Sequence, residues 1–339
     1  MTQPRSDSNV SQAPPASVAD RRLTSPITVR WAHHRSGWGH VQAAVAEQLL
    51  HPEGECLFLG ELEDAMFQIG PFRKPWIGVA HQTFEAPPHM AAVHGGRSDL
   101  EFLLNYHPNL SLSLPYCRGI FTLSEHVATQ LRERLTVPIE VLRLPTELAV
   151  PQFSFQAYEA NRRKAIVQLG CWLRRFYPIY ELPVRGFRRI WLTGGGFDHQ
   201  RAVGCEGMRK RRLVRVKCPP RLSNEAFDEL LCKNIMLVGL WQANANNSIV
   251  ECIARGTPVL TNPLPAVREY LGDDYPFYFD DLREAADKLR NNELIRETAA
   301  YLQQRKEHLW STETFIQRLI QSPIYTSLPG PKPKQRTSR

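Results

Sequence analysis

The sequence predicts an α/β protein made of two doubly wound, Rossmann-like domains that face each other across a cleft. Three observations carry this expectation. Short apolar runs of β-type residues alternate with segments of helical periodicity, which implies parallel sheets covered on both faces. The alternation runs once, breaks in the aperiodic stretch PQFSFQAYEANRR, and starts again. The length of 339 residues and the 42% hydrophobic composition suit two ordinary cores.

In the first half, ITVRW (27–31) reads as a strand, followed by the Gly-rich turn HHRSGWGH and a helix in VQAAVAEQLL. WIGVAH (76–81) is a second strand. GIFTLSEHVATQLRERL reads as a strand, then Ser124 as helix cap, then an amphipathic helix. IEVLRLP closes this half. The second half opens with KAIVQLG (164–170), and RRIWLTGGG (188–196) runs a strand into glycines. LVRVKC is a further strand, and SNEAFDELLCKN is a capped helix that leads to strand IMLVGLW (235–241). A helix follows from Asn247 to about Arg255. TPVLT is a strand, PAVREYLG a short helix and PFYF a last strand, before DLREAADKLRNN and ELIRETAAYLQQRKEHLW finish as helices. The expected organisation is a disordered leader (1–25), a first Rossmann-like domain (26–155) and a second Rossmann-like domain (156–310). A helix (311–325) returns to the first domain, and a basic disordered tail (326–339) ends the chain.

No apolar run is long enough to span a bilayer, and the N-terminus has no apolar signal-type core. The seven cysteines are odd in number and form no C-x-x-C pair, so free thiols in a reducing, cytoplasmic setting are expected. The net charge is +8, yet residues 161–221 hold 16 Lys/Arg against 3 Asp/Glu, so the rest of the chain is net acidic by 5. A regional excess of this kind predicts an anionic partner near that segment: a nucleotide, an anionic membrane or a nucleic acid.

Ligands of doubly wound sheets sit beyond the carboxyl ends of the strands, so the default site is the cleft between the domains. There the stretch ANANNSIVECIARGTPVLT forms the turn from strand to helix. Asn246 or Asn247 caps the helix and Ser248 occupies its first turn. The free N–H groups at a helix start suit a phosphate. Glu251, one turn in, can accept from a ribose diol. Three asparagines in four residues, Asn244, Asn246 and Asn247, exceed what capping needs. Gly37 and Gly39 around Trp38 allow close backbone approach to a ligand in the first domain, although the third glycine of a dinucleotide fingerprint is missing. His81 ends a strand beside the cleft, and Glu85 is a further polar group there. His33, His34 and His40 flank the glycine loop without a metal-site spacing.

The stretch NNSIVECIARGTPVLTNPLPAVREYLG resembles the donor-binding region of group-1, family-4-like glycosyltransferases of the GT-B fold. The resemblance implies that Glu251 binds the nucleotide ribose, that Arg174 and Arg175 after Gly170 hold the donor diphosphate, and that Asn246, Asn247, Ser248 and Asn244 line the donor. It also implies that His81 contacts the donor sugar, and that the loop Gly37, Trp38 and Gly39 meets pyrophosphate or acceptor. The sequence departs from the family at two positions: Ala243 stands where a second Glu is common, and Asn246 where the loop usually has Gly. No Asp-x-Asp occurs in the chain. The expected activity is therefore a metal-independent, retaining transfer of sugar from a nucleotide-diphosphate donor, with no other cofactor. The acceptor class stays open between glycan, lipid-linked saccharide, protein, small molecule and nucleic acid. The alternative is a non-catalytic binder of nucleic acid or anionic membrane on the same scaffold. It would use the basic segment 161–221, with Trp172, Phe176 and Tyr177 available for base stacking. A peripheral position at the inner membrane face is the second expected location.

Overall fold

The computed structural model describes residues 21–26, 37–87, 90, 99–193, 202, 204, 206 and 215–330. The expected strand 27–31, His33, His34, the glycines after Thr193, residues 207–214 and the tail after Gly330 lie outside these residues.

Two parallel sheets form. The first has the order β1-β2-β3-β4-β5, from Leu23–Thr24, Cys56–Leu59, Trp76–Ala80, Cys117–Thr122 and Ile139–Val141. The second has the order β7-β6-β8-β9, with β6 at Ala165–Leu169, β7 at Arg188–Leu192, β8 at Ile235–Val238 and β9 at Val259–Thr261. Strands β3, β6, β8 and β9 are buried along their whole length, as strands covered by helices on both faces must be. In the second sheet the chain runs from β6 out to β7, then returns to β8 on the other side of β6. The strand order therefore reverses between β6 and β8, and a crevice opens at their carboxyl ends.

The helices that matter for the site are α1 (Trp38–Leu49), α2 (Leu62–Gln68), α3 (Glu125–Arg132), α4 (Asn224–Cys232), α5 (Asn247–Arg255), α6 (Pro265–Leu271), α7 (Asn292–Arg305) and α8 (Thr312–Gln321). Local chemistry sets their ends. Ser124, Ser223 and Asn246 each accept a backbone N–H from the third residue on. Helix α5 stops at Gly256, which is left-handed (φ 66°), so that Thr257 N–H turns back to the Cys252 carbonyl. Every residue of α5 from Ile249 to Arg255 is buried, because the helix packs between its sheet and α7.

Several expectations change. Leu23 and Thr24 fall in the expected leader but pair in parallel with β2, and Leu23 is fully buried, so the ordered chain begins earlier than residue 26. LVRVKC makes only an isolated bridge between Lys217 and Ile190 among its described residues. Pro219 and Pro220 follow at once and cannot donate to a ladder. PFYF also makes one bridge, Tyr278 to Thr261, and contributes buried aromatic rings instead of a strand. The aperiodic join contains a short helix, Phe155–Ala160, capped by Ser154. The six described cysteines, 56, 117, 171, 218, 232 and 252, are free thiols. No described helix is long and apolar enough to cross a membrane.

The chain returns to the first sheet after the second is complete. Phe315 of α8 meets the Trp38 ring edge-on at 5.8 Å, and Ile324 donates its N–H to Glu140 at 2.9 Å. Side chains also tie the two sheets together. Asn244 accepts from Leu123 N–H (3.2 Å) and Ser124 Oγ (2.9 Å) and donates to the Ala80 carbonyl (2.9 Å). Glu269 accepts from the N–H groups of Glu125 and His126, and so caps α3 from the other sheet. Tyr270 donates its hydroxyl to the Leu123 carbonyl at 2.7 Å and accepts from Leu144 N–H at 3.0 Å.

Candidate functional site

A cleft of about 450 Å³ opens where the first sheet's glycine loop meets the carboxyl ends of β6, β7 and β8. One wall is Gly37, Trp38 and Gly39. The floor is Leu169 to Trp172 with Arg174, and the inner wall is Asn247, Ser248 and Glu251. The two domains come close here: a Cβ placed on Gly37 would lie 3.6 Å from Asn247 Nδ2.

The β6 loop aims Arg174 into this space by an unusual backbone path. Gly170 (φ 77°) turns the chain, and Leu173 holds a positive φ of 53°. Outside glycine, such a conformation costs about 1–3 kcal/mol and persists only where the surroundings fix it. Here Trp241 N–H bonds the Leu173 carbonyl at 3.0 Å, and Arg174 bridges to Leu240. A side chain at position 170 would begin 3.1 Å from Arg174 Nη2, so glycine is also needed for space. The guanidinium is then held by four bonds. Nε donates to the Leu169 carbonyl (2.9 Å) and Nη1 to the Trp172 carbonyl (2.9 Å). Nη2 donates to Asn246 Oδ1 (3.0 Å) and Ser248 Oγ (3.2 Å). All four acceptors are neutral. No carboxylate among the described residues pairs with Arg174, and burial lowers its pKa to about 10.

The start of α5 stands beside this cation. Asn246 Oδ1 serves twice, as N-cap to Ile249 N–H (3.2 Å) and as acceptor for Arg174, which locks helix and guanidinium into one unit. Asn246 itself does not line the cleft; Asn247, exposed at the helix start, does. Glu251 lies at the cleft with one carboxylate oxygen bonded to Arg255. Arg255, 1% exposed, also donates to Asp228 at 2.7 and 3.0 Å. Two carboxylates thus share one buried guanidinium.

Besides Asn246, three predicted site residues stand outside the cleft lining. Arg175 turns away from the cleft, stacks over the Trp241 ring at 4.8 Å and donates to Tyr177 Oη at 3.4 Å. Adjacent residues leave a tight loop in opposite directions, so only one arginine of the pair reaches the cavity. Asn244, 1% exposed, uses its amide on the first sheet, as described above, and does not line the cleft. His81 lies under the glycine loop. Its Nε2 donates to the Gly60 carbonyl at 2.9 Å, its ring meets Trp38 at 4.2 Å, and burial lowers its pKa to about 4. Trp38 Nε1 donates to the same carbonyl at 2.8 Å, so His81 and Trp38 together brace the loop. Beneath them Glu63 accepts the N–H groups of His81 and Gln82, and burial raises its pKa to about 7. Glu85 and His40 are exposed and are not part of the cleft lining.

The remaining wall was not foreseen: Thr193 after β7, the turn Pro219 to Leu222, and Asn224 and Phe227 of α4. Its one sequence signal was Arg221, the last cation of the basic segment. That segment is not a continuous basic face. Arg189 donates to the carbonyls of Ile179, Tyr180, Leu182 and Val184 and so braces its own loop. Phe176 is fully buried against Trp191 and cannot stack on a base.

Two parallel sheets with a cleft at their carboxyl edges form the arrangement of the GT-B fold, although among the described strands only the second sheet reverses its order, the first running sequentially from β1 to β5. The chain is similar to a mutant of TarM from S. aureus in complex with fondaparinux, alpha-GlcNAc-glycerol and UDP, with a TM-score of 0.58 and 12% identity over 86% of this chain and 59% of that one. It is similar to sucrose-phosphate synthase from Thermosynechococcus elongatus (TM-score 0.56, 13% identity, 84% of this chain and 76% of that one). It is also similar to Anabaena Alr3699/HepE in complex with UDP and glucose (TM-score 0.56, 13% identity, 83% and 78%). The chain spans about three fifths of the length of TarM. No protein-family model and no curated protein matches it.

Proposed function

We propose that the chain is a glycosyltransferase that moves a sugar from a nucleoside-diphosphate donor bound in this cleft to an acceptor entering over the first domain. One observation carries the reading: Arg174 is a buried guanidinium with only neutral acceptors around it, facing a cleft beside the N-terminus of a nine-residue helix. A buried cation without a counter-ion is costly, and an anion at this place removes the cost. The diphosphate is an anion of the right kind, since its charge grows as the bond to the sugar breaks. Glu251, one turn further in, accepts from the ribose hydroxyls. UDP, which accompanies TarM and HepE in the structures above, is the first nucleotide to test.

The transfer needs no dedicated base if it retains configuration. The bond from the anomeric carbon to the phosphate oxygen breaks and the bond to the acceptor oxygen forms on the same face. The acceptor proton passes to the departing phosphate oxygen. Arg174 and the α5 N–H groups stabilise the diphosphate, so the proposed reaction is metal-independent. Titration calorimetry against nucleoside diphosphates, with a donor screen read by mass spectrometry, tests the proposal. Selective binding of one nucleotide and sugar transfer from its conjugate are expected. Absence of nucleotide binding overturns it.

A further inference from the structure

The large hydrophobic side chains left exposed among the described residues gather at one place. Tyr106 is 69% exposed, Leu112 50%, Ile69 44% and Tyr116 37%. They belong to two segments, 69–76 and 106–118, which enter β3 and β4 at their amino ends. Trp76 and Cys117 are register partners in those strands. The segments are bound to each other: Phe72 N–H donates to Ser113 Oγ at 2.8 Å, Trp76 Nε1 to the Ser113 carbonyl at 2.8 Å, and Asn109 Nδ2 to the Met66 carbonyl at 2.8 Å. The patch is therefore one surface, at the opposite end of the strands from the cleft.

The charge of its two segments is one-sided, although Glu53 and Glu55 stand at the amino end of the neighbouring β2. The two segments hold Arg73, Lys74 and Arg118, all exposed, and no Asp or Glu. Asp64 and Glu101 lie on the adjoining helices. The C-terminal segment adds to this end of the sheet. Ile324 sits so close over Gly119, next to Arg118, that a Cβ there would fall 2.5 Å from it. The described chain stops shortly afterwards at Gly330, and residues 331–339 carry Lys332, Lys334, Arg336 and Arg339 with no acid.

We propose that this surface docks the chain on an anionic lipid bilayer. Two tyrosines with apolar rings and polar tips, two aliphatic side chains and a lysine–arginine rim have the composition of an interfacial anchor. A protein partner would call for a continuous apolar core and few lysines. Docked here, the cleft stands about one β3 length, roughly 17 Å, from the lipid side of the sheet. The inference is independent of the proposed chemistry, and its test uses no sugar donor.

The full chain is sedimented with vesicles of phosphatidylcholine alone and of phosphatidylcholine mixed with phosphatidylglycerol, at low and high salt. Binding is expected only to the anionic vesicles and falls with salt. Arg73→Gln with Lys74→Gln should weaken it by roughly 30-fold, each surface charge being worth about fivefold. Leu112→Ser with Tyr116→Ser should weaken it further while the melting temperature holds. Three results overturn the proposal. Both double variants bind vesicles as the parent does. Lys332→Gln with Lys334→Gln alone removes the binding. Or the parent ignores vesicles and self-associates through the patch, as shown by Leu112→Ser dispersing a dimer.

Discussion

Replacing Arg174 by alanine should cost nucleotide affinity and turnover far more than it costs the fold. The guanidinium gives up four bonds, to Leu169, Trp172, Asn246 and Ser248. Against that loss, burial has lowered its pKa from 12.5 to about 10, which corresponds to about 3 kcal/mol against the charged form. Removing the charge recovers this penalty, so the two contributions to stability oppose each other. Binding has no such compensation. A hydrogen bond to a charged group is worth roughly 1.5–3 kcal/mol, so UDP affinity should fall about 10- to 150-fold. Turnover should fall about 10²–10³-fold, as for a lost oxyanion donor. Arg174→Lys should rescue only partly, because one ammonium cannot hold the loop carbonyls and meet a phosphate together. Arg175→Ala is the internal control and should leave UDP affinity unchanged, since its side chain stacks on Trp241 outside the cleft. Calorimetry with UDP, beside melting curves with and without it, reads both quantities. If folded Arg174→Ala binds UDP within threefold of the parent, or Arg175→Ala loses as much, the assignment of the anion site is wrong.

Glu251→Gln should weaken nucleotide binding by about 10–100-fold, from the loss of one charged hydrogen bond, while Asp228 still pairs Arg255 and keeps the fold; unchanged calorimetry would sink the ribose role. Excess chelator should leave transfer intact if the proposed pairing of Arg174 with the diphosphate holds, since the sequence has no Asp-x-Asp; loss of activity restored by Mg²⁺ or Mn²⁺ would refute this. The pH dependence of stability should expose His81 and Glu63. The histidine's pKa is lowered from 6.5 to about 4, so its contribution is complete above 6.5 and is lost as the pH falls toward 4. The pKa of Glu63 is raised from 4.5 to about 7, mainly by burial, so ionisation destabilises it above 7 and stability is regained as the pH falls toward 4.5. Glu61 acts in the same sense as Glu63. In the parent chain these slopes oppose each other; in Glu63→Gln the urea midpoint should fall more steeply between pH 6.5 and 4. Equal slopes in the two proteins would refute the assignment.

Much of the fold was legible because periodicity and caps agreed. The run from β4 through Ser124 into α3, and the bounds of α5, follow from alternation, a side-chain acceptor at the cap and a glycine at the end. Strand β2 escaped because it has only four residues between Gly54 and Gly60. PFYF and LVRVKC carry strand composition, but their pairing depends on edge position and, for the second, on the two prolines that follow. The site was legible as a region more than as roles. The asparagines after β8 do three different jobs. Asn244 joins the sheets, Asn246 caps α5 and holds Arg174, and Asn247 faces the cleft. Composition shows that there are too many of them for capping, but only the loop path separates their tasks. The choice between Arg174 and Arg175 likewise depends on the positive φ of Leu173, which a leucine does not announce.

The return of the chain after α7 makes the first domain discontinuous in sequence. Trp38 shares its ring contact with Phe315, and Glu140 holds the backbone of Ile324, so pieces nearly three hundred residues apart complete one core. Severing the chain near residue 156 would yield an N-terminal fragment without its last helix and without the Glu269 cap on α3. Such a fragment should be insoluble or molten. Adding residues 312–330 as a separate peptide should restore it in part. For anyone recombining halves of chains with this fold, the exchangeable unit is therefore the middle of the chain, an insert carried between two ends that belong together.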